Sequence, residues 1–244
     1  VFKNKDSYDG SWMNDKMNGY GVYIKMRFGE KFSEKYQGDF IDDRKEGVGC
    51  LELLNGLVYK GDFMNDKFHG KGTLTDTKEN STYSYNGGFV NGKKEGENAT
   101  ETYMGGETYV GDFVNGMKHG IGEYKTKTDY EYHGNWRFGV RQGFGVEFNK
   151  NIQDEEQKIQ YKFNAATILS DYRAKVVKVF PPSYLSVNRL MGQKYIYEGE
   201  FWNGVWHGHG KLIQENQNYY VGGFIFGKRH GIGYSFAKEE EHWS

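Results

Sequence analysis

The sequence predicts an all-β protein: an elongated, twisted antiparallel sheet of stacked β-hairpins with one helical insertion. Three observations predict it. A Tyr-x-Gly-x-Phe/Trp pattern recurs eight times, and a further glycine follows each copy at a fixed distance. The 244 residues include 35 Gly, 20 Tyr and 17 Phe but two Pro, with 36% hydrophobic residues, which suits a thin or extended body better than a thick aliphatic core. One stretch between the sixth and seventh copies breaks the pattern and carries a different periodicity.

The copies begin at Tyr8, Tyr36, Tyr59, Tyr85, Tyr109, Tyr132, Tyr197 and Tyr220. Glycine stands two residues on in each, and Phe or Trp two beyond that: Trp12, Phe40, Phe63, Phe89, Phe113, Trp136, Phe201 and Phe224. Spacing by two is strand periodicity, so ring, glycine and ring face one side. The bare glycine leaves room for aromatic rings to lie over the backbone. Pairs such as Asn65-Asp66, Asn91-Gly92 and Asn115-Gly116 follow and suit a tight turn with positive φ. Eleven residues after each Tyr comes Gly19, Gly47, Gly70, Gly96, Gly120, Gly143, Gly208 or Gly231, and seven copies add a second glycine two further on, the exception being Asn98. This Gly-x-Gly is expected to open the returning strand, with Gly70, Gly72 and Leu74 on one face. Each copy is thus one hairpin of about 23 residues. A lone hairpin cannot bury its apolar side, whereas stacked hairpins share a continuous strip. Eight of them, at ~4.8 Å per strand, would give a sheet about 75 Å long.

Tyr197 follows Tyr132 at an offset of 65 residues, and from Asp154 onward Ile159, Phe163, Ala166, Leu169, Tyr172 and Val176 recur at three- and four-residue intervals. This is one face of an amphipathic helix, capped by Asp154 and stopped by Pro181-Pro182. It is read as cover for a sheet edge or the trough, ahead of a docking arm. The organisation expected is therefore hairpins one to six over 1–149, insertion and connector over 150–196, and hairpins seven and eight over 197–244.

On these residues the chain resembles the MORN-repeat family (membrane occupation and recognition nexus). Residues 109–122, Tyr-Val-Gly-Asp-Phe-Val-Asn-Gly-Met-Lys-His-Gly-Ile-Gly, match the family pattern at nearly every position. Phe138 and Phe226 depart from it where Asn is usual. The resemblance implies elongated twisted sheets acting as scaffolds, in settings that include ciliary radial-spoke heads, cytoskeletal rings, membrane junctions and lipid kinases.

Two surfaces stand out as candidate sites. The rings of the central copies, Tyr36, Phe40, Tyr59, Phe63, Tyr85, Phe89, Tyr109, Phe113, Tyr132 and Trp136, chiefly pack between repeats. They also line an aromatic trough in which a partner segment could lie. Lys16, Arg44, Lys45, Lys67, Lys93, Lys94, Lys118, Arg141, Lys228 and Arg229 recur near the turns and are expected to form a ridge along one edge. Solvated turns and edge protection are the first reading of that ridge, and contact with anionic lipid or an acidic filament the second. Asp39, Asp62, Asp112 and Glu200 are expected on the outer face, partly cancelling the field.

The remaining motifs point to structure. Lys71 lies between two glycines, but no Ser/Thr follows and the other copies lack the lysine, so this is not a phosphate loop. His69, His119, His207 and His230 share one offset, and copies about 10 Å apart cannot share a zinc ion, so turn hydrogen bonding is expected. Cys50 is the single cysteine and has no recurring His partner. No catalytic constellation, cofactor or metal is expected. The net charge of -1 selects no nucleic acid. The sequons at Asn80 and Asn98 are read as chance matches in a cytoplasmic protein. The chain begins at Val1 without a targeting signal and reads as a candidate piece of a longer protein. The function expected is a non-enzymatic scaffold for other proteins in a cytoskeletal assembly, towards a ciliary or axonemal complex such as a radial spoke head. A peripheral membrane adaptor and a regulatory module of a larger enzyme are the alternatives, and homodimers through the sheet ends are a further expectation.

Overall fold

The structure, a computed structural model, describes residues 5–26, 32–128, 130–149, 195–214 and 217–237. Among these the protein is all-β, with open antiparallel sheet and no helix. The helix expected over 154–176 lies outside the described residues. The chain divides into two compact units, Val1–Met117 and Lys118–Ser244.

In the first unit the strands are β1 (Ser7–Met13), β2 (Lys16–Met26), β3 (Phe32–Ile41), β4 (Arg44–Leu53), β5 (Leu57–Met64), β6 (Lys67–Asp76), β7 (Ser84–Val90), β8 (Lys93–Lys94), β9 (Gly96–Thr102) and β10 (Thr108–Val114). Each pairs antiparallel with the next, except that β7 pairs with both β8 and β9. The second unit contains β11 (Met117–Lys125) from its second residue onward, β12 (Tyr130–Arg137), β13 (Val140–Asn149), β14 (Tyr195–Trp202), β15 (Val205–Gln214), β16 (Tyr219–Ile225) and β17 (Lys228–Phe236), again paired in chain order. The insertion does not interrupt this pairing: β13 and β14, on either side of it, run in register from Gly143↔Phe201 to Asn149↔Tyr195.

The hairpin turns follow the sequence signal. Both central residues have positive φ in all eight, from Asn14 and Asp15 to Phe226 and Gly227. That is the turn whose twist matches a hairpin, and Asn, Asp and Gly reach it at least cost. Phe138 at φ 47° and Phe226 at φ 49° hold the same turn without that advantage.

The Gly-x-Gly differs from expectation. The returning strand is already paired at Lys67, and the first glycine, Gly70, sits inside it at φ +55° where the register shifts between Gly61 and Asp62. This bulge turns Gly70 to the other side: a Cβ there would meet the Asp62 carboxylate, whereas one on Gly72 would meet the Tyr59 ring. Gly72 and Leu74 therefore share the ring face, and Gly70 does not. The fourth hairpin carries one extra residue. With Tyr85 opposite Glu101, it is Ala99 rather than Asn98 whose Cβ lies 2.4 Å from where a Cβ on Gly87 would stand.

Within each unit the core is a single file of rings. Each Tyr lies across the glycines of its own hairpin, and its hydroxyl donates to the carbonyl three residues on, as Tyr36 does to Asp39 (3.0 Å), Tyr59 to Asp62 (2.9 Å) and Tyr197 to Glu200 (3.0 Å). It then meets edge-on the Phe of its own hairpin and that of the next: Tyr59 packs against Phe63 at 5.1 Å and Phe89 at 5.2 Å, and Tyr132 against Trp136 at 5.3 Å and Phe201 at 5.0 Å. Such pairs contribute ~0.5–1.5 kcal/mol each beyond burial.

Candidate functional site

The ring file determines what surface is left for function. The ten rings of the expected trough, from Tyr36 to Trp136, are at most 8% exposed. Their faces are taken up by one another and by the residue nine positions after each Tyr, so they present no open trough. That residue is Phe68 in the third hairpin, stacked 3.8 Å from Tyr59, and Trp206 in the seventh, stacked 4.6 Å from Tyr197. In other hairpins it is a cation: Lys45 is 5.6 Å from the Tyr36 centroid, Lys94 4.9 Å from Tyr85, Arg141 5.3 Å from Tyr132 and Arg229 5.0 Å from Tyr220. Lys118 lies 4.8 Å from Trp136.

The ten basic residues of the expected ridge thus divide between two faces. Lys45, Lys94, Lys118, Arg141 and Arg229 turn onto the rings. Three of them are neutralised there: Lys45 pairs with Glu34, Lys94 with Glu101 and Arg141 with Glu147. Glu101 and Glu147 are 4% and 2% exposed and stand where the third and seventh hairpins have Leu74 and Leu212. Glu147 is held by Arg141 (2.7 Å), Tyr195 (2.6 Å) and the Trp206 indole (3.3 Å). The sequence pattern missed these carboxylates. The signal was a charged residue at an otherwise apolar ring-face position with Lys or Arg earlier in the same hairpin.

Lys16, Arg44, Lys67, Lys93 and Lys228 point the other way and are exposed. In the first unit each stands directly across the turn from an apolar residue: Met13↔Lys16, Ile41↔Arg44, Met64↔Lys67 and Val90↔Lys93. Those apolar residues are 55%, 52%, 39% and 43% exposed. The row recurs in each of the first four hairpins on the side opposite the rings. It was legible as an apolar residue five positions after every repeat Tyr except Tyr132, where Arg137 stands, a regularity that the ring pattern overshadowed. Aspartates stand among these cations: Asp15, Asp42, Asp43 and Asp66 are exposed, and Lys16 reaches Asp42 at 3.5 Å.

Backbone and side chains fix the spacing of the tips. The amide of the second turn residue donates to a carbonyl of the preceding hairpin, as in Asp43 to Met17 (3.0 Å), Asp66 to Lys45 (3.1 Å) and Gly204 to Arg141 (2.9 Å). Asp43 and Asp66 return the bond by accepting from the Met17 and Lys45 amides. The expected outer acidic series is partly engaged in the bulges: Asp62 accepts from the Lys71 amide at 2.9 Å and Glu200 from His209 at 3.1 Å. Among the histidines, His119 accepts from the Phe138 amide at 3.5 Å, the turn role expected of this offset, whereas the buried Nδ1 of His69 and of His207 has no hydrogen-bond partner among the described residues, so the expectation does not extend to them. The His119 ring and that of His207 also pack against the tip rings Phe138 (5.0 Å) and Phe226 (5.6 Å).

For chemistry, the Cys50 thiol is pushed up by burial, with Lys60 opposing, so it is not an activated thiolate. Glu123, Glu131 and His133 bring ligand-type atoms within 4.8 Å of one another on β11 and β12. Lys125 pairs with Glu123, and the His133 ring nitrogens lie 3.6 Å from Glu123 and 3.2 Å from Glu131, so a cation would have to displace contacts the carboxylates already make. Among the described residues no helix is long and apolar enough to cross a membrane.

Eight stretches of the chain, 8–25, 36–58, 59–81, 85–97, 109–128, 132–151, 197–219 and 220–234, match the model of the MORN repeat and together cover more than half its length. The chain belongs to the MORN-repeat family. Proteins built of these repeats are generally non-catalytic modules, and the repeat suggests a membrane- or protein-interaction module. No curated protein matches the chain.

Proposed function

We propose that the chain is a non-enzymatic scaffold holding other proteins of a multi-subunit cytoskeletal assembly, cytoplasmic and most naturally a ciliary or axonemal complex such as a radial spoke head. The tip row of the first unit carries this reading. Met13, Ile41, Met64 and Val90 are exposed apolar knobs, each beside a cation and interspersed with Asp. Apolar contacts within a mixed-charge rim, repeated about every 10 Å, suit a repetitive protein surface. An anionic bilayer would favour a row of one sign. The test is detergent extraction of cells expressing the full chain. The native chain is expected in the insoluble cytoskeletal fraction, cross-linked through its tips, and the variant Ile41→Asp with Met64→Asp in the soluble fraction. Equal partition of the two would sink the reading.

The exposure of Lys16, Arg44, Lys67 and Lys93 supports a second reading, a peripheral adaptor on anionic phospholipid. Vesicles containing phosphatidylserine should then float the chain at physiological salt, and reversal of the four to Glu should abolish flotation. No flotation of the native chain removes this reading. Homodimers through a sheet end remain part of the proposal: Ile232, Tyr234 and Phe236 on β17 are 95%, 60% and 50% exposed. Sedimentation of the native chain against Ile232→Lys measures that contact, and a chain monomeric at micromolar concentration argues against it.

A further inference from the structure

The side of the sheet opposite the rings is treated differently in the two units. Val146 and Phe148 flank the ring-face residue Glu147 on β13, and Ile196 lies between the ring-face Tyr195 and Tyr197 on β14, so all three point away from the rings. They are nevertheless 1%, 3% and 4% exposed, with Phe144 and Ile213 packed against them. Cys50 and Thr73, which occupy the place of Val146 in the second and third hairpins, are only half-buried. Half-burial is what neighbours within a single sheet provide, and burial on both faces requires a second layer.

The cluster lies on the strands that the insertion joins. Phe148 pairs with Ile196 and Asn149 with Tyr195. Residues 150–194 therefore leave and re-enter the sheet at one place, directly beside the patch. Their sequence carries the apolar stripe of Ile159, Phe163, Ala166, Leu169, Tyr172 and Val176.

We infer that Val146, Phe148 and Ile196 form the docking seat for the chain's own 150–194 segment, which binds through that stripe as a second layer behind β13–β15. A helix over 154–176 would be roughly 35 Å long, more than the ~10 Å separating the first of these three strands from the last. The apolar side chains on segment and sheet satisfy each other, so the back of these strands is a self-occupied face and the hairpin tips are left for partners.

Thiol accessibility in the full chain tests this. In a Cys50→Ser background, Val146→Cys should react with maleimide at least about tenfold more slowly than Cys50 does in the native chain, as expected of a covered site. Adding Phe163→Asp and Leu169→Asp should remove the difference. A Val146→Cys thiol that reacts as fast as Cys50 while the segment is native overturns the inference, as does one whose rate ignores the two aspartates. If the aspartate variant fails to fold, mild oxidation of Phe148→Cys with Leu169→Cys, and of Phe148→Cys with Phe163→Cys, replaces it. An intramolecular disulfide in either supports the seat. Disulfides only between molecules, or none in both pairs, assign the cover to something else and overturn it.

Discussion

The third hairpin, 59–76, and the sixth, 132–149, follow one plan with opposite chemistry. Both place a Tyr over two glycines and set an aromatic ring edge-on beside it. Around that frame the third is neutral: Phe68 stacks on Tyr59, Leu74 stands opposite, Asn65-Asp66 makes the turn and Thr73 and Thr75 occupy the back. The sixth has Arg141 over Tyr132, Glu147 opposite, Phe138-Gly139 in the turn and buried Val146 and Phe148 behind. The ring-and-glycine frame thus sets the fold, and the positions around it decide whether a hairpin closes on itself or engages a neighbour.

Removing the common frame should have the largest effect and fall equally on both hairpins. Gly72→Ala would place a Cβ 2.4 Å from the Tyr59 hydroxyl, and Gly145→Ala one 2.4 Å from that of Tyr132. Each is expected to cost about 3 kcal/mol in urea unfolding, because ring and backbone must both move. A cost confined to one hairpin would show that the frame is not shared.

Next comes the charge that distinguishes them. Arg141→Ala leaves Glu147 buried with its cation gone and should also cost about 3 kcal/mol. Converting the sixth hairpin to the third with Arg141→Phe and Glu147→Leu should recover most of that loss, since the neutral stack already serves Tyr59. A double variant no more stable than Arg141→Ala would mean that the ion pair does more than replace an apolar contact.

Alkaline pH probes the ring file itself. Burial, then the nearby Asp62 charge, pushes the Tyr59 hydroxyl up to about 12 from its ordinary 10.0. Its folded value lies above its unfolded one, so the stability it contributes is complete below pH 10 and is lost as pH rises towards 12. Tyr36, Tyr85 and Tyr197 shift in the same direction, chiefly through burial. The melting temperature should therefore hold steady up to pH 10, apart from titration of other groups, and then fall. A Tyr59→Phe chain should lose less over that range.

The smallest effect is expected at the turns. Phe138→Asn should relieve left-handed strain of about 1 kcal/mol, less the contact with His119, and Asn65→Phe should cost a similar amount. If Phe138→Asn is destabilising instead, the ring at that tip contributes more to stability than its strained backbone costs.

The sequence by itself determined the repeat, the strand periodicity, the turns and the ring file, because each depends on residues a few positions apart in one hairpin. It assigned turn hydrogen bonding to the whole histidine offset, which His119 makes but the buried Nδ1 of His69 and of His207 does not. It could not assign faces beyond the turn. The bulge at Gly70 reverses the side on which the next residues lie, and the added residue before Ala99 shifts the pairing of Gly87. Only the tertiary structure decided that Arg141 lies on a ring while Arg44 faces solvent, that Glu147 joins Tyr195 and Trp206 across the insertion, and that Val146 is covered when Cys50 is not. The physical reason is that a side chain's surroundings in a sheet come from neighbouring strands, and bulges and long connections set which residues those strands bring alongside.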